Sequence, residues 1–142
     1  MTSRLAAGAR WQLPLGDLAG DVLARESRMA ADFAAQLESI AELEARGGPD
    51  DFPSTAAFVA SALRLSLREA RERIALACQE LPLARSALSE GNLSPRHFVE
   101  IARLLAHAPD WLPSETATAT EQALVTVAGQ ASVETVRKWP GG

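Results

Sequence analysis

Apolar residues recur along most of this chain at helical spacing, and the pattern is broken by proline, glycine and serine clusters without ever switching to strand-like alternation. The longest run is Leu18, Val22, Met29, Phe33, Leu37 and Ile40, which share one stripe of a helix until Gly47-Gly48-Pro49 ends it. Asp17 is the expected N-cap. Residues 17–46 therefore read as a long amphipathic helix behind a flexible leader, residues 1–16, with Trp11 and Leu13 as its candidate anchors. At ~1.5 Å rise per residue such a helix is on the order of 45 Å long, more than one end of a small helical core can cover. Its stripe either packs on its own domain or forms a seam with another helix or a second copy of the chain.

After the Asp50 to Pro53 linker, Ser54 is placed to cap a short helix running from Thr55 to Leu63. Arg64-Leu65-Ser66 is the next turn. Ser66 with Glu69 forms an S-x-x-E capping box, which starts a second helix that stops near Leu81-Pro82. A short helix from Leu83 to Ser89 is closed by Gly91, and Ser94 and Pro95 open the next as N-cap and N1 residues, with Phe98, Ile101, Ala102 and Leu105 facing inward. Pro109 to Pro113, containing Trp111, is a break, after which Ser114 caps a helix to about Ala128. A final helix from Ser132 is cut short by Trp139-Pro140-Gly141-Gly142. The expected fold is all-α: a multi-helix bundle with a long N-terminal helix, a helix-turn-helix-like core over residues 54–107, and truncated C-terminal helices over residues 114–142.

The segment from Ser54 to Ala77 carries the functional signal. In a helix-turn-helix the first helix needs a small residue where it approaches the second, and apolar residues must bracket the turn. Ala60 is that small residue, with Val59, Leu63, Leu65, Ala70 and Ile74 as the inner face. Arg68, Arg71 and Glu72 fall on the outer side of the second helix near its N-terminus, where base and phosphate contacts are made. With Arg64 and the Ser66 N-terminus they form the candidate DNA-binding set. Two features depart from the usual pattern: Arg64 stands where glycine is common, and Arg73 lies close to the inner face. The competing reading is a plain helical hairpin whose Glu69/Arg73 and Arg68/Glu72 are i,i+4 pairs worth a few tenths of a kcal/mol each.

Composition narrows the choice. The 142 residues include 5% aromatics and no tyrosine, so alanine, leucine and valine must build most of the interior. The formal net charge of −4 excludes a globally basic nucleic-acid binder, so any DNA contact must be local. Arg64 to Arg73 supplies that locality, with four arginines against two glutamates. Cys78 is the only cysteine, which rules out a disulfide framework within the chain and points to a reducing, cytoplasmic compartment; a small buried hydrophobe is its expected role. No segment approaches the ~20 apolar residues of a membrane span, and no membrane partner is expected. No cofactor, metal site or catalytic residue is expected either. His97 and His107 lie on different faces of one helix, so a shared metal is disfavoured, and His97 reads as half-buried beside Ile101, bonding Glu100 or a backbone carbonyl. Glu38, Glu42 and Glu44 read as a solvated face.

Over Thr55 to Leu105, the residues Leu65-Ser66, Glu69-Ala70, Leu81-Pro82, Ala87-Leu88, Gly91, Leu93-Ser94, His97 and Ile101-Ala102 resemble the actinobacterial 13E12 repeat family, also called the domain of unknown function 222 family. The resemblance extends more weakly from the long first helix to the C-terminus. Members of that family carry this helical region ahead of an HNH endonuclease module. The resemblance thus implies a DNA-associated, mobile-element protein whose helical part targets or regulates a nuclease following Gly142. A more distant similarity is to the helix-turn-helix region of ParB-type partition proteins, carried by Leu81-Pro82 and Gly91-Asn92-Leu93-Ser94-Pro95-Arg96-His97. The arginine-rich nucleotide-binding box of those proteins is not present, so the similarity implies DNA-binding architecture without nucleotide chemistry. The alternative to DNA association is a protein-interaction or dimerisation module, with the Leu18 to Ile40 stripe as its working surface.

Overall fold

Local chemistry at the helix ends sets most of the architecture. The computed structural model describes residues 7–107 and 113–129. A short 3-10 helix, Ala7–Gln12, precedes six helices: α1 Leu15–Ala45, α2 Thr55–Leu63, α3 Leu67–Cys78, α4 Pro82–Ser89, α5 Pro95–Ala106 and α6 Ser114–Ala128. No strand occurs among the described residues, and the fold is the expected all-α bundle. Ser54 caps α2 by accepting from the Ala57 amide at 3.1 Å, and Ser94 caps α5 by accepting from the His97 amide at 3.0 Å. Gly91 closes α4 at φ +79, and a Cβ there would meet the Ser27 Cβ at 2.7 Å, so the α4–α5 turn lies directly against α1.

Two expected caps are corrected. Asp17 and Ser114 do not sit at N-cap positions, because the prolines before them take over: Pro14 and Pro113 are the N-caps, and neither makes a side-chain capping bond. The Pro14 carbonyl accepts from the Asp17 and Leu18 amides at 3.1 Å, so α1 begins at Leu15 and Asp17 lies in its first turn, where a carboxylate suits the helix dipole. The leader also differs from expectation. Trp11 does not anchor it, being 79% exposed; Arg10 instead reaches Asp21 at 3.7 Å. Met1 to Ala6, the break containing Trp111, and the expected last helix from Ser132 with Trp139 lie outside the described residues.

One core spans all six helices, centred on Leu37, Val59, Leu88, Phe98, Ile101 and Leu124. Ala30, Ala34, Ala70, Ala77, Ala84 and Ala102 are buried around them, which lets helix backbones approach closely and answers the low aromatic content. α3 packs on α1 and α2, while α4 lies among α1, α5 and α6. α1 is used unequally along its length. Leu37 and Ile40 are in the core and Phe33 is half-buried, but on the same stripe nearer the N-terminus Leu18 is only half-buried and Val22 and Met29 are exposed.

Candidate nucleic-acid interface

The turn between α2 and α3 is built by two devices. Arg64 adopts the left-handed conformation (φ 57, ψ 45), and the Ala60 carbonyl accepts from both the Arg64 amide and the Leu65 amide, the latter at 2.9 Å. The chain then reverses into α3, where both halves of the capping box are present: the Glu69 amide donates to Ser66 Oγ and the Ser66 amide to Glu69 Oε1, each at 3.0 Å. The bond from the Ser66 amide, then the Ser66 hydroxyl, hold the Glu69 carboxyl below its ordinary value of 4.5, with Arg73 adding a smaller attraction. Inside the hairpin Val59, Ala70 and Ile74 are buried and Leu65 half-buried, as the inner face requires. Leu63 is the exception, at 38% exposure, because the left-handed turn at Arg64 ends α2 before Leu63 is covered.

Arg64, Arg68, Arg71 and Glu72 are all exposed, and Arg68 and Arg71 share one face of α3 near its N-terminus. No ion pair joins Arg68 to Glu72 or Glu69 to Arg73 among the described residues. Arg73 is directed inward: its Nη1 donates to Gln36 Oε1 at 2.7 Å, and its guanidinium lies 5.4 Å from the centre of the Phe33 ring. Glu72 borders a groove of about 560 Å³ between α3 and α5, with Phe33, Leu76, Val99 and Arg103 among its walls. Glu72 therefore flanks the arginine face and does not stand at its centre.

Most of the other described arginines are engaged within the fold. Arg25 and Arg10 meet the buried carboxylate of Asp21, Arg46 pairs with Glu42, and Arg103 pairs with buried Glu100. Arg85 donates to the carbonyls of Leu76, Ala77 and Gln79 at 3.1, 2.6 and 2.9 Å, closing the C-terminal end of α3. The side chains of Arg64, Arg68 and Arg71 make no hydrogen bond or ion pair among the described residues. The same holds for Arg96, on α5.

Elsewhere the structure corrects one expectation and adds two residues. Cys78 is exposed, not buried, because it falls one position beyond the Ala70, Ile74 and Ala77 stripe; it borders a cleft of about 510 Å³ with Glu38, Glu42 and Arg85. Glu121, buried on α6, accepts from the Ala84 amide at 2.8 Å and so caps α4 from a distant part of the chain, a second charged group, with Arg85, that sequence reasoning missed. Neither role has a local sequence signal. His97 is half-buried, and its Nδ1 lies 2.5 Å from Ser94 Oγ, while exposed His107 meets the Arg103 carbonyl at 2.8 Å. Among the described residues no three His, Cys, Asp or Glu side chains come together as metal ligands, and no helix is long and apolar enough to cross a membrane.

A family model described as "Domain of unknown function (DUF222)" matches residues 21–139. No curated protein and no solved structure matches the chain.

Proposed function

The chain belongs to the DUF222 family, and from that premise we propose that it is a DNA-contacting helical module of the cytoplasm, with the α2–turn–α3 hairpin as its reading unit. The observation that carries this reading is the set of exposed guanidiniums of Arg64, Arg68 and Arg71, which have no partner among the described residues and lie at the N-terminal end of a helix opened by a capping box. Arg68 and Arg71 point away from the core and reach phosphates or guanine edges in the major groove; Arg64 contacts the flanking backbone. The capping box takes the Ser66 and Glu69 amides, and the first-turn amides of α3 that remain without carbonyl partners favour an anion at this end. Glu72, on the edge of the face, biases against one groove wall by repelling phosphate. The net charge of −4 confines attraction to this patch, so affinity is modest and strongly salt-dependent.

In this reading the module itself does no chemistry and serves as the targeting or regulatory part of a longer parent with an HNH endonuclease module. Binding of the chain to genomic DNA fragments over a salt series is the test. Each lost phosphate contact lowers the slope of log K against log salt by about 0.9, so Arg68→Ala with Arg71→Ala should reduce it by roughly two. A wild type that binds no fragment at low salt, or a double variant that binds as well, removes the reading. Metal-dependent plasmid nicking that disappears in His97→Ala would remove its non-catalytic part.

A further inference from the structure

One face of the N-terminal half of α1 is a repeating apolar seam exposed among the described residues. Leu15, Val22 and Met29 stand at heptad intervals on one face and are 85%, 66% and 55% exposed. Just ahead of them Trp11 is 79% exposed. We infer that this seam binds a second copy of the chain, α1 against α1, antiparallel about a two-fold axis at Val22.

The spacing is self-complementary. Antiparallel pairing at Val22 sets Leu15 of each copy against Met29 of the other, which is the isologous arrangement a two-fold interface demands. Charge selects the direction. A parallel pair would oppose Arg25 to Arg25 and Glu26 to Glu26 beside the seam; the antiparallel pair sets Arg25 opposite Ala19 and Glu26 opposite Leu18, so no like charges meet. Beyond the seam, the antiparallel pair brings the segment ahead of Leu15, with exposed Trp11, toward the end of the second copy's α1 that borders the α3–α5 groove, where Phe33, Leu76 and the 43%-exposed Val99 offer apolar walls. The four exposed side chains present roughly 600 Å² of apolar surface per copy, approaching the ~800 Å² per partner of a standard stable interface.

One consequence rests on the DNA reading, although the dimer does not. α3 is fastened to α1 at Phe33 and Gln36 through Arg73. That point is on the order of 20 Å along the axis from Val22, so the two copies of α3 stand about 40 Å apart, near the ~35 Å repeat of successive major grooves on one side of a duplex.

Sedimentation equilibrium of the full chain at roughly 10 to 100 µM measures the mass directly. The expected result is a dimer, weakened at least tenfold by Val22→Glu with the circular-dichroism spectrum unchanged, since Val22 lies outside the core. In a Cys78→Ser background, oxidation should crosslink Val22→Cys across the axis and leave Leu15→Cys uncrosslinked. A monomer throughout this range, a Val22→Glu variant that still dimerises, or crosslinking of Leu15→Cys in place of Val22→Cys overturns the inference. A monomer that binds DNA would leave the DNA reading standing, and a dimer that binds none would leave the dimer standing.

Discussion

At the C-terminal end of α3 three backbone carbonyls share one guanidinium, that of Arg85, whereas at the N-terminal end the guanidiniums of Arg64, Arg68 and Arg71 have no partner among the described residues. The same residue type does opposite things a few turns apart. Arg85 is half-buried, stacks 5.9 Å from the centre of the Phe98 ring and satisfies groups that would otherwise be orphaned, so its charge is part of the fold. The three N-terminal arginines are solvated and contribute little to stability. Charge that the fold does not use is charge available to a ligand, and the proposed DNA reading separates the two ends of α3 on that ground. If the separation is real, substitutions at the two ends must have opposite signatures.

The largest effect should follow Arg85→Ala. Removing charge-assisted bonds to three carbonyls and the contact with Phe98 should cost about 3 kcal/mol, read as a fall in the urea midpoint. DNA affinity per folded molecule should not change. A loss of affinity without a loss of stability would erase the distinction between the ends.

Glu121→Ala comes next, at about 2 kcal/mol, because the buried Ala84 amide loses the carboxylate that caps it and a cavity takes its place. A fall below ~0.5 kcal/mol in urea denaturation would mean that α4 is held by its packing alone.

These two residues also show where sequence reasoning reaches its limit. Ser54, Ser66 with Glu69, Gly91, and Ser94 with Pro95 were legible because a cap acts on amides within three residues of itself, so the signal is local. Arg85 and Glu121 act on backbone brought near by packing, and no spacing in the chain announces it. Cys78 was misread for a related reason: residue type favours burial, but the α3 face turns away from the core at that position. The candidate face was legible as a set of positions, since Arg68 and Arg71 do share a side of α3. The place of Arg73 close to the inner face was legible too; what could not be read was that Phe33 and Gln36 of α1 would be its partners.

Within the N-terminal end, the capping box should respond to pH. Ser66→Ala should cost about 1 kcal/mol at neutral pH. The Glu69 carboxyl is held below 4.5, chiefly by the bond from the Ser66 amide and then by the Ser66 hydroxyl, so its folded value is depressed relative to the unfolded one. Its stabilisation is therefore complete above the ordinary carboxylate value and disappears as pH falls through the lower folded value. The stability difference between wild type and Glu69→Ala should stay constant down to about pH 5 and shrink below it. A difference that persists undiminished into strong acid would show that the carboxylate charge has no part in the cap.

The smallest stability effect, and the one that divides fold from function most cleanly, belongs to Arg64→Gly. Arg64 holds a left-handed conformation that costs a side-chain-bearing residue ~1 kcal/mol or more, and glycine relieves that strain while losing more freedom on folding. The two terms leave a net gain of about 0.5 kcal/mol, visible as a small rise in the urea midpoint. The fold alone would thus prefer glycine at this position, and the DNA reading proposes a role for the arginine side chain there. Binding should move the other way, with weaker DNA affinity and a salt slope lower by about 0.9. A variant that is more stable and binds equally well would reduce Arg64 to a tolerated defect of the turn, leaving Arg68 and Arg71 to carry the interface.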